Sequence, residues 1–138
     1  MSPHMRPHVL DANALYRFLV DGPGAEIVEK VFNDSSEANR AVHMSVINWG
    51  ETLYALGRTH GFDEAARMLA KVENALNVVD ADRAATAAAA RLKLASGLPY
   101  ADCFAAVVTG RAGVLVTADP HFKRVTWLRT LALPRHKQ

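Results

Sequence analysis

The sequence predicts a single α/β domain in which helices flank a central parallel sheet of four to five strands. Short apolar segments typical of strands alternate along the chain with longer segments of helical periodicity. The strand predicted at residues 114–117 begins with three consecutive apolar residues, as in a strand that is buried on both faces of a parallel sheet. The length of 138 residues suits one domain, and no internal repeat or linker divides it. We therefore treat residues 1–138 as one domain, and we expect residues 1–7 to be flexible.

The first half of the chain predicts two strands and four helices. The first strand, at residues 9–10, is followed at once by helical periodicity, and turn residues at 21–24 end that first helix. The polar residues 33–37 predict a loop. Ser45 is a favourable N-cap for the third helix, and Gly61 fits the C-terminal end of that helix. The four helices are expected near residues 12–20, 27–32, 46–60 and 63–73, and the second strand at residues 41–44.

The second half predicts three strands and two helices. Asp82 is a favourable N-cap for an alanine-rich helix that ends before Gly97. Pro99 opens the next helix, which is apolar nearly all round and is therefore expected to be central. The strands are expected at residues 76–79, at 114–117 and, at the edge of the sheet, within 125–133, and the central helix is expected at residues 100–109.

Composition and charge indicate an ordinary globular protein. Half of the residues are hydrophobic, and the formal net charge is only +2, so any nucleic acid would have to be held by a local basic patch. The single cysteine, Cys103, cannot form an internal disulfide, which fits a reducing compartment. The first residues lack the apolar segment of a signal peptide, and no segment is long and apolar enough to cross a membrane. We therefore expect a soluble cytoplasmic protein without a membrane partner.

Four carboxylates, Asp11, Glu51, Asp102 and Asp119, each lie where a predicted strand ends or a helix begins. In a parallel α/β sheet the carboxyl ends of the strands open onto one crevice, so these side chains are expected to converge. Four clustered acids repel one another unless a cation lies among them, and hard divalent cations such as Mg²⁺ and Mn²⁺ prefer oxygen ligands. The pattern therefore predicts a metal site and chemistry on phosphate.

Three of these acids also have simpler structural interpretations when each is taken alone. Asp11 is a suitable N-cap, Asp102 lies in the first turn of a helix, where negative charge is stabilising, and Asp119 precedes a proline and suits a turn or cap. Glu51 lies past the capping positions, on a helix face with apolar neighbours, and Arg58 is too distant along that helix for a good ion pair. The conjunction of all four acids is what favours a site.

Around these acids the chain resembles PIN-domain ribonucleases, and most closely the VapC-type toxins of bacterial and archaeal toxin–antitoxin pairs. Residues 9–15 are similar to the first strand and leading acid of the family, Asp11, with Asn13 at a position that is usually small and polar. Thr117 stands two residues before the fourth acid, as it does in the family. The segments around the second, third and fourth acids resemble the family motifs at residues 45–56, 98–106 and 115–122. The resemblance covers almost the whole chain, and none of the four acids is missing.

The resemblance implies a metal-dependent endoribonuclease that acts as the toxin of a toxin–antitoxin pair. Asp11 and Asp102 would be the principal ligands of Mg²⁺ or Mn²⁺, and the other two acids would complete the pocket directly or through water. A metal-activated water would hydrolyse the RNA phosphodiester, leaving 5′-phosphate and 3′-hydroxyl ends. Asn13 and Thr117 could hold an acid or a water in place, although Thr117 could equally be a plain strand residue.

The same resemblance implies three partners: an RNA substrate, a cognate antitoxin protein and a second copy of the chain in a homodimer. The helices near the first and second acids carry more large side chains than one buried stripe requires. These are expected either to line a groove for an amphipathic antitoxin segment or only to fill the core. They are Leu15, Tyr16, Phe18, Leu19, Trp49, Leu53, Tyr54 and Leu56.

Other functions fit parts of the pattern less well. A receiver-like phosphoacceptor domain needs adjacent acids after its first strand and a lysine after its last central strand, but Asp11 is followed by Ala12 and Asn13, and residues 117–119 contain no lysine. A phosphatase of the haloacid dehalogenase type would need an aspartate at position 13. A non-catalytic PIN-fold RNA-binding module remains open, although the intact acids argue against it.

Two further groups of residues have the chemistry of possible sites. Basic residues are dense around Trp127 near the C-terminus, where they either hold RNA phosphates or are simply solvated. They are Lys123, Arg124, Arg129, Arg135 and Lys137. The six histidines form no metal-ligand motif, so we expect them at the surface or in loops, and we expect Cys103 to be a buried structural thiol.

Overall fold

The central sheet has five parallel strands, as predicted, in a computed structural model that describes residues 5–135. The strands are ordered β3-β2-β1-β4-β5, and the expected edge strand is β5. Their bounds are β1 His8–Leu10, β2 Val42–Ser45, β3 Leu76–Val79, β4 Val114–Thr117 and β5 Arg129–Ala132. Leu10, the last residue of β1, lies opposite Val116, so β1 and β4 end within one residue of each other at what we call the carboxyl edge of the sheet. Flexibility was predicted for residues 1–7, of which residues 1–4 lie outside the described residues.

Helices connect the strands, and several of them begin or end as their cap residues predict. The Ser45 hydroxyl accepts a hydrogen bond from the Ile47 N–H at 3.1 Å, and the Asp82 carboxylate accepts one from the Ala85 N–H at 2.8 Å. Gly97 ends its helix in the left-handed region at φ 72°. The helices are α1 Ala12–Leu19, α2 Ala25–Glu37, α3 Val46–His60, α4 Phe62–Ala70, α5 Arg83–Ser96 and α6 Tyr100–Thr109, with short 3₁₀ helices at Glu73–Ala75 and Pro120–Arg124.

Two apolar clusters cover the two faces of the sheet, because successive strand residues point to opposite sides. Leu10, Met44 and Val116 are fully buried against residues of α1 to α4. Val9 and Leu115 are buried against residues of α5 and α6 on the opposite face. The sheet is thus covered on both faces, and its carboxyl edge remains as the place where polar side chains gather.

Two predicted boundaries were wrong. The polar run at residues 33–37 is not a loop, because α2 continues to Glu37. Ser35 is buried and Lys30 pairs with Asp34 at 2.8 Å across one turn, so the run forms the last turn of a helix, with one polar residue inside and the others toward solvent. The helix expected to reach residue 73 ends at Ala70, and a 3₁₀ turn then leads into β3. None of the helices between residues 5 and 135 is long and apolar enough to span a membrane.

Candidate active site

The structure brings the four predicted acids to the carboxyl edge of the sheet. Asp11 directly follows β1 and caps α1, while Asp119 follows the neighbouring strand β4 and caps the 3₁₀ helix Pro120–Arg124. Glu51 lies in the second turn of α3, which begins where β2 ends, and Asp102 lies in the first turn of α6. The charges of the other three acids all raise the pKa of Asp102, so the four carboxylates lie close enough to interact electrostatically.

Asp11 is the most deeply buried of the four acids, with 7% of its surface exposed. Burial raises its pKa from 3.8 to about 6, and the charge of Asp119 adds to the rise. The hydroxyl of Thr117 and the Ala14 N–H, which donates to Oδ1 at 2.8 Å, act in the opposite direction. Asp11 is therefore both the helix cap and a member of the acid cluster, so its two sequence interpretations are compatible.

Asp102 is half-buried, and its pKa is likewise raised from 3.8 to about 6. Burial is the largest cause, followed by the negative charges of Asp11, Asp119 and Glu51. His121 lowers the pKa of Asp102 and is the one basic group among these causes. The environment of Asp102 thus disfavours its charged form, and a nearby cation would stabilise that form.

Asp119 is held by a compact set of contacts at the end of β4. Its backbone N–H donates to the Thr117 hydroxyl at 3.0 Å, and its Oδ1 accepts from the His121 N–H at 2.8 Å. The ring Nδ1 of His121 lies 2.9 Å from the same oxygen, although the ring is largely exposed. The predicted surface position of His121 is therefore correct, but the residue also reaches the acid cluster. A histidine two residues after a capping aspartate was the signal in the sequence.

The side chain of Glu51 is exposed to solvent, whereas the sequence predicted a helix face with apolar neighbours. Its Oε1 accepts a hydrogen bond at 3.0 Å from Nδ2 of Asn48, one turn earlier on α3. The same Nδ2 donates to the Ala101 carbonyl at 3.2 Å, directly before Asp102. Asn48 is 1% exposed, and its Oδ1 has no hydrogen-bond partner among the described residues.

Asn48 is thus a residue that sequence reasoning missed. One amide joins the second acid to the start of the helix that carries the third acid. Its partner Ala101 lies 53 positions away in the chain, so only the fold shows this contact. The available signal in the sequence was a single polar residue one helical turn before Glu51.

The two predicted supporting residues occupy different environments. Thr117 is buried, and its hydroxyl accepts the hydrogen bond from the Asp119 N–H. The same side chain lowers the pKa of Asp11. Asn13 is exposed and lines a cavity of about 600 Å³ between α1 and α3, together with Glu51. The other lining residues are Ala12, Tyr16, Thr52, Tyr54, Ala55, Arg58 and Thr59. This cavity, which we call the α1–α3 groove, opens beside the acids.

The donor set fits a hard cation, although it is not a preformed cage. Between residues 5 and 135, no three His, Cys, Asp or Glu side chains are disposed as a ready metal site. Mg²⁺ commonly keeps several waters and is bound through one or two carboxylates, so it does not require such a cage. Burial and, to a smaller extent, neighbouring acids raise the pKa values of Asp11 and Asp102, so a cation would favour the charged form of both. Asp11 and Asp102 are the carboxylates that would hold the ion.

The comparisons agree with the fold. The chain is similar to VapBC from Salmonella typhimurium, solved bound to DNA, with 20% identity and a TM-score of 0.74 over 93% of this chain and 98% of that chain. It is also similar to VapBC2 from Rickettsia felis, solved with a promoter DNA fragment, with 17% identity and a TM-score of 0.71 over 91% and 98%. A third similar structure, the sarcin-ricin loop cleaving toxin VapC20 of Mycobacterium tuberculosis, has 16% identity and a TM-score of 0.57 over 74% and 80%.

At these identities the solved structures establish the fold alone. No curated protein matches the sequence. The model of the PIN domain family, however, matches residues 8–128, which span most of the chain and all four acids. The resemblance seen in the four motifs is therefore confirmed, and the chain belongs to the PIN domain family.

Proposed function

We propose that this chain is a Mg²⁺- or Mn²⁺-dependent endoribonuclease and the toxin of a toxin–antitoxin pair. The observation that carries the proposal is that three carboxylates lie around Asp102 and all three raise its pKa. A cluster of this kind has no evident use in stabilising the fold, because like charges at close range are costly. Its use is to attract a divalent cation and, through that cation, a phosphate.

The four acids have two different proposed roles. Asp11 and Asp102, the two acids with raised pKa values, would hold the metal, and Glu51 and Asp119 would bind water or complete the acidic pocket. When bound, such a metal supplies a water of lowered pKa and stabilises charge on the phosphate oxygens. Thr117 fixes Asp119 through its hydroxyl. Attack by water rather than by the ribose hydroxyl leaves a 5′-phosphate and a 3′-hydroxyl.

Cleavage of fluorescently labelled single-stranded RNA tests the nuclease part of the proposal. We expect cutting with Mg²⁺ or Mn²⁺, none in excess EDTA, and none by Asp102→Asn. Asp82→Asn is the control, because it makes the same change of aspartate to asparagine near the start of a helix, at a position outside the cluster, and should stay fully active. Cleavage that survives in EDTA or in Asp102→Asn would refute the site. RNA binding without cleavage under all conditions would favour the non-catalytic alternative.

The α1–α3 groove is the place we propose for the antitoxin. Leu15 and Leu56 are fully buried, so part of the large apolar set predicted near the acids only fills the core. Tyr54, however, is 69% exposed and lines the groove with Tyr16, beside Glu51. An amphipathic segment could pack on these rings and place an arginine or lysine among the acids, where it would replace the metal. The similar structures from Salmonella typhimurium and Rickettsia felis are VapBC complexes, which agrees with a protein partner.

The partner proposal has a test in cells. The chain expressed alone should arrest growth, and co-expression with a short reading frame encoded beside it should give a nuclease-inactive complex. Charge reversal of one partner arginine should restore cleavage. A chain that is harmless on expression and captures no small partner would contradict the toxin assignment while leaving the nuclease assignment open.

We further propose a homodimer that is formed through the outer face of α5. Only Ala89 of this helix is buried, and Leu94 is 90% exposed. Ala84, Ala87 and Ala88 line a cavity of about 570 Å³ with Trp127, which leaves an apolar surface uncovered in the monomer.

A further inference from the structure

We propose that a second cavity beside Asp119 binds one nucleotide of the RNA strand next to the scissile phosphate, with its phosphate held by Lys123 and Arg135. This inference rests on the proposed nuclease function and specifies where its substrate lies. The cavity has a volume of about 300 Å³ and lies between the end of β4, the 3₁₀ helix and β5. We call it the β5 pocket. Its lining residues are Thr117, Ala118, Asp119, Pro120, Phe122, Lys123, Thr130, Ala132, Leu133 and Arg135.

The β5 pocket adjoins the acid cluster. Two of its lining residues, Thr117 and Asp119, belong to the candidate active site itself. An RNA strand whose scissile phosphate lies at the acids would therefore enter this cavity, on the side of β4 and β5. The α1–α3 groove lies on the other side, next to Glu51. The volume is at the lower end of ordinary ligand pockets, which suits one nucleotide rather than a folded partner.

Charge distinguishes this pocket from the acid cluster. Lys123 and Arg135 are exposed cations, and neither pairs with a carboxylate within residues 5–135. The acid cluster alone would repel RNA, so binding requires cations close to it but outside it. The buried Phe122 and Leu133 form an apolar floor on which a ribose or base can pack, and the exposed Thr130 contributes a hydroxyl at the rim.

The other basic residues near the C-terminus are placed differently. Arg129 donates a hydrogen bond to the Arg111 carbonyl, and Arg111 stacks over Trp127 at 5.4 Å. Arg124 extends toward Gly97, at the turn between α5 and α6. Lys137 lies outside the described residues. The basic residues near the C-terminus are close together in the sequence, but the fold places only two of those that the structure describes, Lys123 and Arg135, in the lining of the β5 pocket.

The test is binding of a short unstructured RNA by the full chain in an inactive Asp11→Asn background, measured by fluorescence anisotropy at several salt concentrations. Lys123→Gln and Arg135→Gln should each weaken binding several-fold and lower the salt slope of log K by about 0.7, the value for one lost phosphate contact on a single strand. Lys123→Arg should keep most of the affinity. Lys71→Gln and Arg40→Gln, which replace exposed cations outside the pocket, should change neither quantity.

Cleavage by the otherwise wild-type chain gives a second readout. Lys123→Gln and Arg135→Gln should raise KM several-fold and leave kcat within twofold, since neither residue belongs to the acid cluster. RNA affinity and salt slope equal to those of the two control variants would overturn the inference. So would unchanged RNA binding combined with weaker capture of a protein partner, which would assign the pocket to protein. An absence of cleavage with intact RNA binding would refute the nuclease proposal and leave this binding test valid.

Discussion

Replacing Asp11 by asparagine should stabilise the metal-free protein while abolishing cleavage. Asparagine is nearly isosteric with aspartate and is an equally good N-cap, so the hydrogen bond from the Ala14 N–H can be kept. The substitution removes the negative charge of a residue that is only 7% exposed and lies near other acids. A residue that served only the fold would not behave in this way, because its loss would lower stability.

The size of the gain follows from the pKa of Asp11. The pKa of an ordinary aspartate is 3.8, and that of Asp11 in the folded chain is about 6. Ionisation of Asp11 therefore destabilises the folded state by at most about 3 kcal/mol. The sign follows from the raised pKa: the penalty is absent below about pH 3.8, grows as pH rises to about 6, and is complete above that. The variant should therefore gain little at pH 4 and most at pH 8, where the melting temperature should rise by several degrees, with about 10 °C as the ceiling.

Thermal unfolding in EDTA at pH 4, 6 and 8 measures this gain. Asp82→Asn serves as the control, because Asp82 is an exposed N-cap whose replacement should leave the melting temperature within about a degree. Added Mg²⁺ should raise the melting temperature of the wild type much more than that of Asp11→Asn. An Asp11→Asn variant that is less stable than the wild type at pH 8 in EDTA would refute the electrostatic reasoning. Equal stabilisation of both proteins by Mg²⁺ would refute the assignment of Asp11 as a ligand.

Three further predictions concern the acids, their support and the outer face of α5. Cleavage should fall as pH drops through about 6, where Asp11 and Asp102 take up protons and lose affinity for the metal, and a rate unchanged down to pH 5 would contradict this. Asn48→Leu should lower activity or metal affinity on the order of tenfold by releasing Glu51. It should change the free energy of unfolding little, because removal of a buried oxygen without a partner offsets the loss of the two hydrogen bonds from Nδ2. Leu94→Glu should shift the chain from dimer to monomer in light scattering without altering cleavage per active site, and a dimer that persists would exclude this face of α5.

The sequence predicted the strands and the caps because these depend on local chemistry. Asp11, Ser45 and Asp82 each accept a hydrogen bond from a backbone N–H two or three residues later, which is a property of the sequence near each residue. The error at residues 33–37 arose for the same reason. Polar residues suit both a loop and the exposed face of a helix, and only the packing of the buried Ser35 decides between them.

The supporting residues of the site could not be predicted in this way, because they depend on contacts between distant segments. The bond from Asn48 to the Ala101 carbonyl follows from how α3 packs against α6. The divergence of Arg124 from Lys123 follows from where the 3₁₀ helix lies between the α5–α6 turn and β5. The four acids were accessible from the sequence since each stands at the end of a strand or the start of a helix, and parallel strands bring such positions together.

Asp102 differs from the other three acids in how its charge is supported. Asp11 and Asp119 accept backbone N–H donors, and Glu51 accepts the amide of Asn48. Among residues 5–135, no comparable donor serves the Asp102 carboxylate, while burial and three acidic neighbours all oppose its ionisation. The charge with the least support in the protein gains the most from a cation, so Asp102 is where metal binding should release the most free energy. The hydrogen bonds that hold the other three acids also fix them around this point, which explains how a cluster that repels itself can stay assembled before a metal arrives.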